Sequence, residues 1–146
     1  MKALLLSLIL FLGVTTKAAA DGWPYDQICR NHGATSETVK LYQPREQTIV
    51  LCKFGVGSFI ERDTLDKTWV SGWEPYAVRE YKNNRPTPFT DSCRRFGAWV
   101  YSGIGSGGQR YDICVFTDNS MMEDRTFSYG PTSGWNTEMD WALGIH

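Results

Sequence analysis

All four cysteines of this 146-residue chain fall in two stretches that match each other. Around the first cysteine of each stretch, Pro24-Tyr25, Cys29-Arg30 and Gly33-Ala34 correspond to Pro88-Phe89, Cys93-Arg94 and Gly97-Ala98. With the offset changed by two residues, the matches continue as Cys52 with Cys114, Phe54 with Phe116, Ser58 with Ser120, Glu61 with Glu123, and Ser71-Gly72-Trp73 with Ser133-Gly134-Trp135. Such self-similarity indicates a duplicated structural unit. We therefore divide the chain into residues 21–82 (unit 1) and 83–146 (unit 2).

The shared pattern predicts the same elements in both units. A short helix carries the first cysteine and ends at a left-handed glycine, Gly33 or Gly97, with Asp26 or Thr90 as its cap. Two strands follow, over 38–42 and 48–54 in unit 1 and over 98–101 and 111–116 in unit 2. Residues 81–87, which include Asn83-Asn84-Arg85-Pro86, have the composition of a linker between the units.

Side chains alternate along the second strand of each unit. In the segment 111–116, alternation places Tyr111, Ile113 and Val115 on one face and Cys114 and Phe116 on the other. The segment 48–54 behaves likewise, so its cysteine shares a face with the phenylalanine two residues later. We expect the strand cysteine to meet the helix cysteine of its own unit across a core.

A third element follows each second strand. Ser58-x-x-Glu61 and Ser120-x-x-Glu123 have the spacing of a capping box, which predicts a second helix beginning at the serine. The apolar pairs Phe59-Ile60 and Met121-Met122 are also compatible with a strand. The predicted fold class is α+β: two pseudo-symmetric units, each with a short helix, antiparallel strands and a second capped element, stapled by disulfides and packed as one compact domain.

Residues 1–20 have the composition of a secretory signal peptide. Lys2 precedes an apolar stretch, and Ala18-Ala19-Ala20 provides small residues for cleavage. The apolar stretch is too short to span a bilayer, so no stable membrane insertion is expected after cleavage. We expect a periplasmic or secreted protein.

Charge argues against one class of partner. Removing Lys2 and Lys17 with the leader takes the formal net charge from −1 to −3. Nucleic-acid binding favours a concentrated basic surface, so nucleic acid is not an expected partner.

An even number of cysteines behind a signal peptide predicts disulfides. Zinc is the rival use of four cysteines, but it favours closely spaced pairs, which are absent from this sequence, and no metal site is predicted. A bridge inside each unit contributes roughly 3 kcal/mol in the chain-entropy model, which favours Cys29–Cys52 and Cys93–Cys114. Cross-unit pairing of Cys29 with Cys93 and Cys52 with Cys114 also respects the repeat and remains open.

The segment 114–120, Cys-Val-Phe-Thr-Asp-Asn-Ser, followed by Glu123-Asp124, resembles a motif of small exported bacterial domains that carry a haemolysin label, a family of unknown function. Unit 1 has a weaker version in 52–58. The sequence departs from the family pattern at Ala34 and Ala98, where a second glycine is usual, and at Asn119, where glycine is usual. The resemblance implies an exported protein that contains two tandem copies of this domain, and it indicates no active site.

No catalytic motif stands out in the sequence. Neither histidine has metalloprotease spacing, and a G-x-S-x-G elbow is absent. The glycine-rich segment 102–108 lies between two predicted strands, so a hairpin is favoured over a phosphate loop. The acidic pairs Glu61 with Asp63 and Glu123 with Asp124 could serve acid–base hydrolysis, although capping and solvation already account for them. No cofactor is predicted.

Tryptophan is the most informative excess, with six residues in a short chain. Small proteins use tryptophan to fill thin cores, and this is the ordinary interpretation. The repeated Ser-Gly-Trp is different, because it recurs in a turn-like context, and Trp73 and Trp135 are therefore candidate contacts for a glycan or a protein. The favoured function is a non-enzymatic binding or inhibitor module of the cell envelope or medium. The alternatives are a small hydrolase using Asp and Glu carboxylates and a structural envelope protein without a ligand.

Overall fold

A computed structural model describes residues 23–70, 72–84 and 92–146. The predicted signal peptide, Thr90 and residues 85–87 of the predicted linker lie outside these ranges. The described part of unit 1 contains α1 (Trp23–Asn31), β1 (Thr35–Gln43), β2 (Gln47–Phe54), β3 (Ser58–Glu61), α2 (Arg62–Val70) and α3 (Tyr76–Asn83), which ends one residue beyond the predicted boundary at 82. The described part of unit 2 contains α4 (Ser92–Arg95), β4 (Trp99–Gly105), β5 (Arg110–Val115), β6 (Met121–Glu123), α5 (Asp124–Tyr129) and α6 (Thr137–Ala142).

The six strands close into an antiparallel barrel in the order β1-β2-β3-β6-β5-β4. Each unit supplies three consecutive strands, and two seams join the units. At one seam Ile60 pairs with Met122, and at the other Val39 pairs with Gly105. The α+β class is confirmed, whereas the closed barrel goes beyond the sequence prediction, because both seams join residues far apart in the chain.

The strands separate two cores. Val39, Leu41, Ile113 and their neighbours fill the barrel, while both disulfides lie in a second cluster with Phe54, between the barrel wall and the helices. Tyr111, Ile113 and Val115 belong to the inner cluster, and Cys114 and Phe116 belong to the outer one. The predicted alternation of side chains along the second strand is therefore confirmed.

Both predicted intra-unit disulfides are present. Cys29 bonds to Cys52 and Cys93 bonds to Cys114, at Cα–Cα distances of 5.1 and 5.2 Å. Gly33 and Gly97 end their helices with φ of +81° and +80°, as expected for left-handed helix caps. At each glycine the chain leaves the helix and turns towards the strands, and the helix cysteine bonds to the strand cysteine of the same unit.

The predicted capping boxes are wrong in detail. The residues 58–61 and 121–123 form strands, and the helices begin only afterwards. Glu61 and Glu123 themselves provide the caps: Glu61 Oε2 accepts from the Thr64 amide at 2.8 Å, and Glu123 Oε2 accepts from the Thr126 amide at 2.7 Å. A carboxylate at a helix start satisfies amides that lack an intrahelical partner, so strand and helix meet at one glutamate.

Two smaller predictions also need correction. Asp26 lies inside α1 and not at its start. The predicted linker begins too early, because Tyr81 is fully buried within α3 and donates a 2.5 Å hydrogen bond from its hydroxyl to Asp140 Oδ1. The amphipathic face of α3 overrode the polar composition that favoured a linker.

The glycine-rich segment forms the predicted hairpin between β4 and β5, with Gly108 at φ +80°. Gly103 serves another purpose: a Cβ there would lie 2.7 Å from the Lys40 carbonyl oxygen and 3.0 Å from Leu41 Cα. The absence of a side chain allows β1 and β4 to approach at the seam between the units. Among the described residues, no helix has the length and apolar character needed to cross a membrane.

Candidate functional site: a cleft beside Trp135

The exposure of the tryptophans contradicts the core-filling interpretation. All five tryptophans whose side chains are described are exposed, with Trp135 at 38%, Trp73 at 51% and Trp141 at 66%. The closed barrel is filled by aliphatic residues, methionine and tyrosine instead. The tryptophans are therefore available for contacts outside the fold.

The two candidate tryptophans have different surroundings. Trp73 meets the Tyr76 ring edge-on at 6.0 Å, and the Arg79 guanidinium lies 4.2 Å above that same tyrosine ring. Trp135 lies beside Tyr129, with ring centroids 5.8 Å apart and planes inclined by 31°. Of the two, Trp135 lines a concave site and Trp73 lines neither of the two clefts described below.

The site beside Trp135, here called the Trp135 cleft, has a volume of about 350 Å³. Four parts of the chain form it: the end of β2 with the turn and the start of β3 that follow, the start of β5, the junction of β6 with α5, and the turn before α6 that carries Trp135. Its lining includes Lys53, Gly57, Arg110, Tyr111, Arg125 and Trp135. The cleft lies at one end of the barrel and combines an aromatic ring with three cationic side chains.

The backbone beneath Trp135 is held by hydrogen bonds from unit 1. The buried Ser58 hydroxyl lies 3.0 Å from the Trp135 carbonyl oxygen and 2.8 Å from Asn136 Oδ1. Asn136 Nδ2 in turn donates to the carbonyl oxygens of Thr126 and Gly130, each at 2.9 Å. These bonds fix the turn that carries Trp135, so the backbone from which the indole projects is held in place.

The charge balance of the Trp135 cleft is positive. Lys53, Arg110 and Arg125 are exposed, and among the described residues no carboxylate oxygen lies within 4 Å of the Lys53 ammonium or the Arg125 guanidinium. Arg110 is 3.6 Å from Asp112, a loose exposed pair. Three cations that face solvent around one ring favour an anionic ligand.

Glu123 is the carboxylate of the cleft lining, and it already has hydrogen-bond partners. Its Oε2 accepts from the amide and the hydroxyl of Thr126 at 2.7 and 2.8 Å. Burial raises the pKa of Glu123, while the bonds from Thr126 and the nearby Arg125 charge partly oppose this shift. Glu123 therefore stabilises the start of α5 and offsets part of the Arg125 charge, and the three cations still outnumber this one carboxylate in the cleft lining.

A second cleft, here called the Glu61 cleft, has a volume of about 550 Å³. Because β3 and β6 are antiparallel, Glu61 and Glu123 lie towards opposite ends of the barrel. The lining residues correspond at the offset that relates Cys52 to Cys114: Gln47 matches Gln109, Thr48 matches Arg110, Ile49 matches Tyr111, Glu61 matches Glu123, and Asp63 matches Arg125. These five matching sequence positions occur in both linings with different chemistry, whereas Trp135 and Lys53 have no counterpart in the lining of the Glu61 cleft.

The Glu61 cleft brings together the carboxylates considered for hydrolysis. Burial raises the pKa of Glu61, with the nearby Asp63 charge adding to the shift. Glu61 Oε1 accepts from the Asp63 amide at 2.9 Å, and Oε2 accepts from the Thr64 amide and hydroxyl. Asp63 pairs with Arg62 at 2.9 Å. Both carboxylates therefore have structural partners.

Cys93, Cys114 and Asp124 form the only cluster of potential metal ligands among the described residues. The two sulfurs are bonded to each other, with Asp124 Oδ1 3.1 Å from Cys93 Sγ. Metals bind the thiolate, which a disulfide does not provide.

Both histidines lie beside tryptophan rings. The ring centroids of His32 and Trp69 are 6.2 Å apart, and those of His146 and Trp141 are 4.6 Å apart.

Sequence reasoning singled out Trp135 but missed the cations around it. Lys53, Arg110 and Arg125 belong to segments far apart in the chain, so no local motif announces them. The repeat alignment contained a signal for two of these cations, because Arg110 and Arg125 stand where unit 1 has Thr48 and Asp63.

No protein-family model, curated protein or solved structure matches this chain.

Proposed function

We propose that this protein is an exported, non-enzymatic binding or inhibitor module that contacts its ligand through the Trp135 cleft. The observation that carries the proposal is the grouping of Trp135 with Lys53, Arg110 and Arg125 around a concave site. Aromatic rings and arginine dominate binding energy where proteins meet ligands or partners. The two disulfides indicate an oxidising environment, which is consistent with the periplasm or the medium.

We further propose that the two units are pseudo-symmetric copies produced by duplication. Equivalent residues make reciprocal contacts: the Phe59 amide donates to Thr126 Oγ1 at 2.9 Å, and the Met121 amide donates to Thr64 Oγ1 at 2.8 Å. The order of helix, three strands and two helices is the same in both halves. Duplication explains why one frame has two clefts that differ in charge.

Membership of the exported haemolysin-labelled family stays a proposal that depends on the residues around Cys114. The segment 114–120 lies at the end of β5 and in the turn before β6, with Asn119 at φ +68°. This left-handed conformation favours glycine, the residue that is usual in the family, and asparagine also tolerates it. The departure at this position is therefore compatible with the family's turn.

Quantitative capture tests the binding function. Wild-type protein, Trp135→Ala and Trp73→Ala are immobilised at equal density and exposed to the solubilised native cell envelope and to the culture medium. We expect a saturable ligand, identified by mass spectrometry, whose yield falls at least several-fold with Trp135→Ala. Equal yields from all three proteins would count against both tryptophans as contacts, and a loss confined to Trp73→Ala would move the site to that ring.

One observation favours a second candidate, a small hydrolase. The Glu61 cleft contains two carboxylates, and burial raises the pKa of one of them. Perturbed carboxyls in clefts mark functional sites often enough to merit a direct test. Hydrolysis of chromogenic glycosides and esters that vanishes in Glu61→Gln but persists in Trp135→Ala would support the hydrolase. The third candidate is a structural protein without a ligand. Buried tryptophans would favour this candidate, but Trp73 and Trp135 are exposed.

A further inference from the structure

We propose, building on the binding function above, that the ligand of the Trp135 cleft is an anionic saccharide, with a pyranose against the indole of Trp135 and an acidic group among Lys53, Arg110 and Arg125. The inference concerns the chemical class of the ligand, so it can fail while the binding function stands. It depends on the aromatic ring, on the charge of the cleft and on the form of the barrel.

The aromatic surface suits a sugar ring. Trp135 remains 38% exposed and is backed by Tyr129 at 5.8 Å with a 31° inclination. A Cβ at Gly57 would be in van der Waals contact with the indole, 3.7 Å from Trp135 Cζ2, so the glycine leaves this edge of the ring uncovered. A broad, rigid ring with one polar N–H provides apolar contact area at low entropic cost. The C–H face of a pyranose is complementary to such a surface.

The charge of the cleft favours an acidic ligand. Arg110 and Arg125 carry planar forks of N–H donors, which suit a carboxylate, sulfate or phosphate group. The equivalent positions of the Glu61 cleft hold Thr48 and Asp63, and that lining balances two carboxylates with the cations Arg62 and Lys67. The excess of positive charge is therefore found in the Trp135 cleft. A neutral saccharide would gain no charge-assisted bonds from these exposed cations.

The form of the site favours a saccharide over an acidic peptide. A peptide commonly adds a strand to an open sheet edge, and the six described strands close on themselves. The cleft is also small, at about 350 Å³, and Val56 and Phe59 are the aliphatic and phenyl side chains of its lining. This volume is at the lower end for small-molecule sites and suits a few sugar rings.

The test uses calorimetric titration of the full mature protein with a matched set of probes. Trigalacturonate provides carboxylates, its carboxyl-reduced neutral trisaccharide has the same linkages, and a sulfated disaccharide provides the other acidic group. Triglutamate and a nucleoside monophosphate represent the competing ligand classes. The acidic saccharides are expected to bind, with the neutral trisaccharide at least about tenfold weaker because its ion pairs are lost.

Four variants locate the site. Arg110→Thr combined with Arg125→Asp installs the residues of the other cleft, and we expect it to raise the Kd of the acidic saccharides at least about tenfold. Trp135→Ala is expected to weaken binding of every saccharide, and Trp135→Tyr is expected to restore most of it. Lys40→Thr removes an exposed cation of β1 outside the cleft lining and is the matched control.

Each outcome decides something. Equal affinity for the neutral trisaccharide would overturn the acidic part of the inference, and stronger binding of triglutamate or the nucleotide would overturn the saccharide class. Saccharide binding that is unchanged in Trp135→Ala would overturn the site. If no acidic saccharide binds, the inference is wrong, while capture of another ligand that depends on Trp135 would still uphold the binding function.

Discussion

Ser58 places its hydroxyl 2.8 Å from Asn136 Oδ1, a residue 78 positions away in the other unit. Ser120, the equivalent of Ser58, accepts from the Ala77 amide at 2.8 Å, at the start of α3 in the opposite unit. Each unit thus supports the last described helix of the other. Because the barrel seams and these buried contacts join the two units, we expect the units to unfold together.

Removing the Ser58 hydroxyl is expected to destabilise the whole protein. Ser58 is 1% exposed and Asn136 is fully buried, so Ser58→Ala leaves Asn136 Oδ1 and the Trp135 carbonyl without this partner. We expect a loss of about 1–3 kcal/mol in the free energy of unfolding, measured with urea. Ser102→Ala, which removes a part-buried bond to Asp112, is the control and should cost less. Equal losses would mean that the contact between the units has no special weight.

Each disulfide is expected to contribute to stability independently. The bonded cysteines are separated by 23 and 21 residues, and loops of this size correspond to roughly 3 kcal/mol in the chain-entropy model. Replacing Cys93 and Cys114 together by alanine should lower the free energy of unfolding by about this amount, and replacing Cys29 and Cys52 should have a similar effect. Peptide mapping without reductant checks the pairing, and a cross-unit peptide would contradict it.

The helix-capping glutamates predict a specific pH dependence. Burial raises the pKa of Glu61 above its usual 4.5, so the folded protein holds this proton where the unfolded chain has released it. The contribution of this carboxyl to stability is therefore fully present below pH 4.5 and is lost as pH rises through the folded-state pKa. Relative to Glu61→Gln, wild-type protein should lose stability between about pH 4 and neutral pH. If the free energy of unfolding of the wild-type protein instead rose relative to that of Glu61→Gln as pH increases, the result would contradict this account.

The seam between β1 and β4 depends on Gly103. A Cβ there would collide with backbone atoms of β1, at 2.7 Å from the Lys40 carbonyl oxygen. Gly103→Ala is expected to cost about 1–3 kcal/mol, as overpacking commonly does. Gly107→Ala in the same hairpin has open space around its Cβ and should be within about 0.5 kcal/mol of wild type in thermal or urea unfolding. Similar losses for both would mean that hairpin flexibility, and not close approach, explains Gly103.

Local sequence patterns predict the structure within each unit but not how the two units join. Alternation along 111–116 assigned the faces of β5, and the loop lengths favoured the intra-unit disulfides, because both depend on neighbouring residues. Barrel closure depends on pairs such as Ile60 with Met122, whose partners are distant in the chain and similar to many other apolar residues. For the same reason, the sequence indicated Trp135 as a contact but not the cations of the Trp135 cleft, which come from three separate segments.

Indole NMR tests the central claim most directly, because each of the six tryptophans gives its own N–H signal, assignable by single Trp→Phe variants. Titration of the ¹⁵N-labelled mature protein with trigalacturonate should shift the signal of Trp135 in a saturable manner and leave Trp141 unchanged. A saturable shift of Trp141, Trp69 or Trp73 with Trp135 unmoved would contradict the assignment of the Trp135 cleft as the binding site.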